Sequence, residues 1–269
     1  MLPDMNQIVG HDDLLMVTLD TLRFDVARRL WQEGRTPNLA RWLPESGWQE
    51  RHSPGNFTYS AHAAFFAGFL PTPARPGRHP RLFALRFEGS ETTAPETCVL
   101  DGPDIVTSLA ALGYHTACIG GVGFFNKQNP LGRALPGLFA ESHWSPALGV
   151  TDPDSTRNQV RLALEIIDRL PPAQRLFLFL NVSALHQPNW FYLPGARPGD
   201  GDSLASHAAA LEYVDRQLAP LLEALRLRGS TFCVALSDHG TAYGEDGFSG
   251  HRLAHPVVWT VPYAHFMLR

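Results

Sequence analysis

Four short apolar runs, separated by amphipathic stretches, restrict this chain to few architectures. They are LLMVTLD at 14–20, YHTACIGG at 114–121, LFLFLNVS at 176–183 and TFCVALSD at 231–238. None shows the polar–apolar alternation of a strand with one wet face. Continuous runs of this length indicate strands buried on both faces. A fifth candidate, VPYAHFML, lies at 261–268. Helical patterns come between them. DIVTSLAALG leads into the second run and ends on a glycine stop. STRNQVRLALEIIDRL leads into the third, with Pro171 just beyond. SHAAALEYVDRQLAPLLEALRLRG leads into the fourth, and Pro220 within it predicts a kink or a division. The expected class is α/β, with a mostly parallel central sheet sandwiched by helices. The rhythm continues on either side of the Pro- and Gly-rich stretches at 71–97 and 186–203. Those read as long surface excursions, and residues 1–269 as a single domain.

Composition narrows the function classes. A hydrophobic fraction of 44% and a charged fraction of 18% suit a globular chain. Net charge is −4 and no basic stripe is visible, so no nucleic-acid partner is expected. The apolar runs are too short for a membrane span, and no membrane association is expected. MLPDMNQIVGHDD has neither a cationic start nor an apolar signal core, which makes the cytoplasm the expected location. Cys98, Cys118 and Cys233 form no CxxC pair and read as buried free thiols. GGVG at 120–123 lacks the last glycine of a dinucleotide fingerprint and reads as a turn. Oligomeric state is not legible.

In open parallel sheets, chemistry gathers at the carboxyl ends of the strands. The first run closes on Asp20, the third runs out to His186, and the fourth closes on Asp238 and His239. One aspartate after a strand is usually a helix cap. Three strand ends carrying carboxylate or imidazole exceed what capping explains. Asp, His and a hydroxyl are ligands for a divalent ion such as zinc, manganese or magnesium. A hydroxyl source is at hand in SPGNFTYSAHAAFFAGFLP, residues 53–71. Ser60 is expected to start the helix there. Thr58 would sit in the loop before it, where free backbone N–H groups favour an anion.

Several segments together resemble the alkaline phosphatase superfamily, most closely its sulfatase-like and phosphodiesterase-like members. LLMVTLDTLRFDVARRL with TPNLARW resembles the opening strand and its metal-binding Asp. NFTYSAHAAFFAGFLP resembles the nucleophile loop and helix. LAALGYHTACIGG, ALEYVDRQLAPLLEALRLRG, SDHG, YGEDGFSGH and VPYAHF resemble later segments, in the same order. The resemblance implies an alkaline-phosphatase-like core, here without a large C-terminal domain. It implies Thr58 as nucleophile and Asp20, Thr58, Asp238 and His239 as one metal site. His186 and His251 fall on the other side of the substrate. In two-metal members these histidines hold a second ion with a preceding Asp, but Val182 and Ala184 occupy the nearby positions here. The expectation is one tight zinc or manganese site, with a second, weaker ion at His186 and His251 as the alternative. In the one-metal version, His186 and His251 act as acid, base or anion contacts.

The function implied is hydrolysis of phosphate mono- or diesters or phosphonate esters through a phospho-threonine. The partner is then a small phosphoester or phosphonoester. Phosphoryl or phospho-alcohol transfer at the same site is one alternative, and a non-catalytic binding member of the fold is another. Sulfate-ester hydrolysis is disfavoured, because that chemistry is implied to need an oxidised Cys or Ser where Thr58 stands. Other residues carry two readings each. Asn126 either contacts a phosphoryl oxygen or shapes a turn. His62 reads as a core or supporting histidine, and His255 as structural. Arg23 and Asp25 read as a surface pair or helix-end charges. Trp190, Phe191 and Tyr192 either wall a pocket or anchor a loop.

Overall fold

The structure, a computed structural model, describes residues 3–68 and 104–269. The excursion at 71–97 and Cys98 lie outside the described residues. Strand β1 (Asp13–Leu19) is followed by helices α1 (Phe24–Gln32) and α2 (Pro37–Ala40), strand β2 (Gln49–His52) and helix α3 (Thr58–Ala67). Next come α4 (Ile105–Ala111), β3 (His115–Ile119), α5 (Pro130–Ala134), β4 (Glu141–His143) and α6 (Ser155–Arg169). Strand β5 (Leu176–Val182), α7 (Leu204–Arg228) and β6 (Thr231–Leu236) complete the expected alternation. A hairpin of β7 (Ala242–Tyr243) and β8 (Ser249–Gly250) precedes α8 (Pro256–Trp259) and β9 (Thr260–Leu268).

One sheet of seven strands has the order β2-β9-β6-β1-β5-β3-β4. The five strands from β6 to β4 run parallel, while β9 and β2 are antiparallel. Both faces of the centre are dry, which is why the runs are continuously apolar. Leu15, Val17 and Leu19 of β1 and Leu178 and Leu180 of β5 pack with the α1, α6 and α7 layer. Leu14 of β1 and Phe177 and Phe179 of β5 pack on the other face with Phe66 of α3 and Val106 and Leu109 of α4. Cys118 and Cys233 are buried free thiols. Among the described residues no helix is long and apolar enough to cross a membrane.

Two local expectations need correction. Helix α7 runs through Pro220 without a division. Leu218 before the proline and Leu221, Leu222 and Leu225 after it are all buried. That packing outweighs the local loss of one hydrogen bond. Helix α3 starts at Thr58, not at Ser60. Phe57 holds the N-cap position with no side-chain acceptor, and Ser60 Oγ instead donates back to the Phe57 carbonyl at 2.9 Å. The hydroxyl of Thr58 is therefore borne on the first helical residue.

Candidate active site

Strands β6, β1 and β5 are neighbours, and the residues beyond their carboxyl ends converge. Asp20 follows β1 directly. Asp238 and His239 follow β6 after one serine, and His186 follows β5 by four residues. Ligand atoms of Asp20, Asp238 and His239 all lie within 4.8 Å of one another, the one such group of three among the described residues. Thr58 adds its hydroxyl: Oγ1 is 3.3 Å from Asp20 Oδ2 and 3.4 Å from His239 Nε2. All four residues are buried.

The polar partners of this cluster are incomplete in a specific way. Asp238 Oδ1 accepts from the backbone N–H of Thr21 at 3.3 Å and of His239 at 3.0 Å. Asp20 Oδ2 accepts from Asn181 Nδ2 at 3.1 Å. Asp20 Oδ1 and Asp238 Oδ2 are buried and accept from nothing. His239 Nδ1 donates to the Gly240 carbonyl at 2.9 Å, so its Nε2 turns a lone pair toward the carboxylates. That Nε2 is 3.5 Å from Asp238 Oδ2 and 4.0 Å from Asp20 Oδ1. Orphaned buried carboxylate oxygens are costly unless a cation neutralises them. Two carboxylates, one imidazole lone pair and one hydroxyl form a donor set that suits a divalent ion such as zinc or manganese.

Titration of the metal-free cluster tells the same story. Burial, then repulsion from Asp238, pushes the Asp20 carboxyl up to about 6. Burial pushes Asp238 up to about 7, against the hydrogen bonds it receives. Burial lowers the pKa of His239 and so favours its neutral, ligating form.

The expected supporting role of His62 matches its surroundings. It is buried, donates from Nδ1 to the Thr58 carbonyl at 2.8 Å, and accepts at Nε2 from Thr18 Oγ1 at 3.1 Å. Its Nδ1 also stands 3.7 Å from Asp238 Oδ2. Burial drives its pKa down to about 3, so the ring is neutral and fixes the start of α3 against β1.

Two residues were not legible as site residues. Thr21 has φ of 65°, unusual for a β-branched side chain. This conformation lets its N–H reach Asp238 while Oγ1 donates to the Leu185 carbonyl at 3.0 Å. Asn181, read only as part of the apolar run LFLFLNVS, is fully buried in β5. Its Nδ2 holds Asp20, and its Oδ1 accepts from the N–H of Gly121 (3.2 Å) and Val122 (3.0 Å). Asn181→Ala would strand both N–H groups and free the Asp20 carboxylate. The expected loss is about 2–4 kcal/mol in urea unfolding of the metal-free protein. A variant as stable as the parent would show that this network is not structural.

A cavity of about 380 Å³ opens in front of Thr58 and is lined by His186 and His251. His186 Nδ1 donates to the Gln187 carbonyl at 2.6 Å, leaving Nε2 available. The His251 ring lies 5.4 Å from His186 and 4.6 Å from His239, centroid to centroid. Burial and the neighbouring imidazoles drive its pKa down to about 3. Among the described residues, no third donor joins His186 and His251 into a second group of three. Ala184 is core, as its side chain requires.

Asn126 shapes a turn, as one of its readings has it, and also stands on the cavity wall. Its Oδ1 accepts from the Gln128 N–H at 2.9 Å, and the residue lines the cavity. Trp190, Phe191 and Tyr192 do not line it; Tyr192 stacks on Tyr213 of α7 at 4.7 Å and anchors the loop. His255 caps α8 through Nδ1 and contacts Asp246 at 3.0 Å. The reading of Arg23 as a surface charge needs correction. Arg23 is buried and bridges Asp25, at 2.7 Å, and Glu245 of the β7–β8 hairpin. Glu245 lies 222 residues away, and no local pattern reveals such a pairing.

No curated protein sequence matches the chain. Among solved structures it is similar to the C-terminal periplasmic domain of phosphoethanolamine transferase EptC from Campylobacter jejuni, with 14% identity and a TM-score of 0.63, over 96% of this chain and 80% of that one. It is also similar to the C-terminal periplasmic domain of EcEptC from Escherichia coli in complex with Zn, with 13% identity and a TM-score of 0.64, over 96% and 73%. A protein in the alkaline phosphatase superfamily from Vibrio parahaemolyticus aligns with 17% identity and a TM-score of 0.59, over 95% and 60%. These likenesses establish the fold. The Sulfatase family model matches residues 12–263, a span that includes every site residue above, and the chain belongs to the Sulfatase family.

Proposed function

We propose that residues 1–269 act as one catalytic domain that cleaves phosphate mono- or diesters or phosphonate esters through a covalent phospho-Thr58. The observation that carries this reading is the position of Thr58 Oγ1, within 3.4 Å of both Asp20 and His239 at the mouth of the cavity. Asp20, Asp238, His239 and Thr58 would hold one divalent ion, zinc or manganese. When bound, that ion supplies positive charge that makes the Thr58 hydroxyl more acidic and draws charge from a phosphoryl oxygen.

The chain's own groups do the rest. Thr58 Oγ1 loses its proton to solvent and forms the bond to phosphorus as the bond to the leaving alcohol breaks. The α3 N-terminus has no capping side chain, so its free N–H groups favour the anionic phosphoryl group. His186 Nε2 is the group typed to give the leaving oxygen its proton. His251 is neutral, and its ring N–H is the group that can donate to a phosphoryl oxygen. In the second half, water or another alcohol passes its proton to His186 Nε2 and attacks phosphorus, and the bond from phosphorus to Thr58 Oγ1 breaks. Transfer to an alcohol is a reading of its own, supported by the likeness to the phosphoethanolamine transferase EptC from Campylobacter jejuni.

The test is turnover of nitrophenyl phosphate mono- and diesters, a phenyl phosphonate ester and nitrophenyl sulfate after zinc or manganese loading. The expected result is turnover of a phosphorus ester at least about 100-fold above the sulfate ester, a gap of about 2.7 kcal/mol in barrier. Preference for the sulfate ester would overturn the proposal. Product transferred to added glycerol in excess of product released to water would select transfer.

A further inference from the structure

The cavity in front of Thr58 contains no carboxylate among its described lining residues. Its polar walls are the amides of Asn126 and Asn129, the two histidines and Arg252, and its apolar part includes Phe124 and Leu131. Arg252 is thus the one permanently charged side chain there among the described residues. It is exposed and has no carboxylate partner among those residues. Its guanidinium lies 5.8 Å from the Phe57 ring, beside Thr58. Its positive field reaches His251 and His239, depressing the pKa of both, behind burial and other charged neighbours.

The backbone at Arg252 is strained. Its φ is 68°, in the left-handed region that a side chain with a Cβ rarely adopts. Its N–H donates to the Asn56 carbonyl at 2.8 Å, which ties the segment carrying His251 to the loop carrying Thr58. A strained, tethered arginine with no carboxylate beside it among the described residues is poorly explained by stability. Strain of this kind collects at ligand sites.

We propose that Arg252 binds a second anionic group of the substrate, a carboxylate or phosphoryl group carried on one of its alcohol substituents. The inference rests on the phosphoester reading and sharpens it to a substrate class. A cationic alcohol such as an ethanolamine is disfavoured, because no described carboxylate in the cavity would receive its ammonium and Arg252 would repel it.

The test has a binding arm and a turnover arm. Wild type, Arg252→Ala and Arg252→Lys are titrated calorimetrically with 3-phosphonopropionate, ethylphosphonate and 2-aminoethylphosphonate, with zinc and without it. Wild type is expected to bind 3-phosphonopropionate about tenfold tighter than ethylphosphonate, as one exposed charge-assisted hydrogen bond would give. It is expected to bind 2-aminoethylphosphonate weakest. Arg252→Ala is expected to abolish the preference and Arg252→Lys to keep part of it. The proposal is overturned if wild type shows no preference for 3-phosphonopropionate, prefers the amine, or keeps its preference in Arg252→Ala. Turnover of nitrophenyl phosphodiesters bearing carboxyethyl, ethyl or aminoethyl groups should follow the same order. Binding in the expected order with no turnover of any ester would support the anion site and refute the enzyme reading instead.

Discussion

Thr58→Ala is expected to abolish phosphoester turnover, with a loss of about 10³-fold or more in kcat, while the protein stays folded. The size follows from the role. Removal of a covalent nucleophile takes away a route, and what remains is binding and charge stabilisation. A 10³-fold loss corresponds to about 4 kcal/mol of barrier. The fold should tolerate the change. Thr58 is the first residue of α3, and its hydroxyl contacts to Asp20 and His239 are no shorter than 3.3 Å. Alanine is also the better helix former. Thermal melting of the metal-free variant should therefore stay within about 2 °C of the parent, as a change under 1 kcal/mol implies. Thr58→Ser should restore part of the activity, since the hydroxyl returns without its methyl group. Turnover by Thr58→Ala within tenfold of wild type would remove Thr58 as the nucleophile. Loss of activity together with a collapsed melting temperature would instead mark Thr58 as structural.

What was legible in the chain, and what was not, divides along chain separation. The central strands were readable because β1 and β5 are buried on both faces, and dry strands leave continuous apolar runs. Asp20, Asp238 and His239 were readable because a parallel sheet brings strand ends to one edge whatever lies between them. The start of α3 was misplaced by local rules, since Phe57 is a poor N-cap residue and Ser60 a good one. Tertiary packing overrode that preference. Asn181 and Arg23 were beyond reach for a different reason. Asn181 meets Asp20 across 161 residues and Arg23 meets Glu245 across 222. Arg252 had a faint signal, a cation beside His251, but its strain and its place on the cavity wall belong to the folded chain.

Asp238→Asn is expected to raise the stability of the metal-free protein and to destroy its response to metal. In the metal-free state the Asp238 carboxyl sits at about 7, against 3.8 for an ordinary aspartate, because burial penalises its charge. A carboxyl raised in the folded state contributes stability that is complete below about pH 4. That contribution is lost as pH climbs through the folded value. Absolute melting curves will not isolate this. Burial depresses His62, His207 and His251, so their effect is opposite, a loss of stability at acidic pH that is recovered as pH rises over the same range. The difference between variant and parent cancels the shared histidines and reads the loss of the Asp238 charge together with the relief of Asp20, which that charge raises. That difference should widen from pH 5 to about 7.5 and then level, reaching about 1–3 kcal/mol, or several degrees in Tm. Zinc or manganese should invert the order. The parent gains about 2.7 kcal/mol at 100 times the dissociation constant, while a variant missing one of three clustered ligands gains far less. A variant that matches the parent at every pH would deny that Asp238 is buried and raised. A variant that keeps the parent's full thermal shift with zinc would place the metal elsewhere.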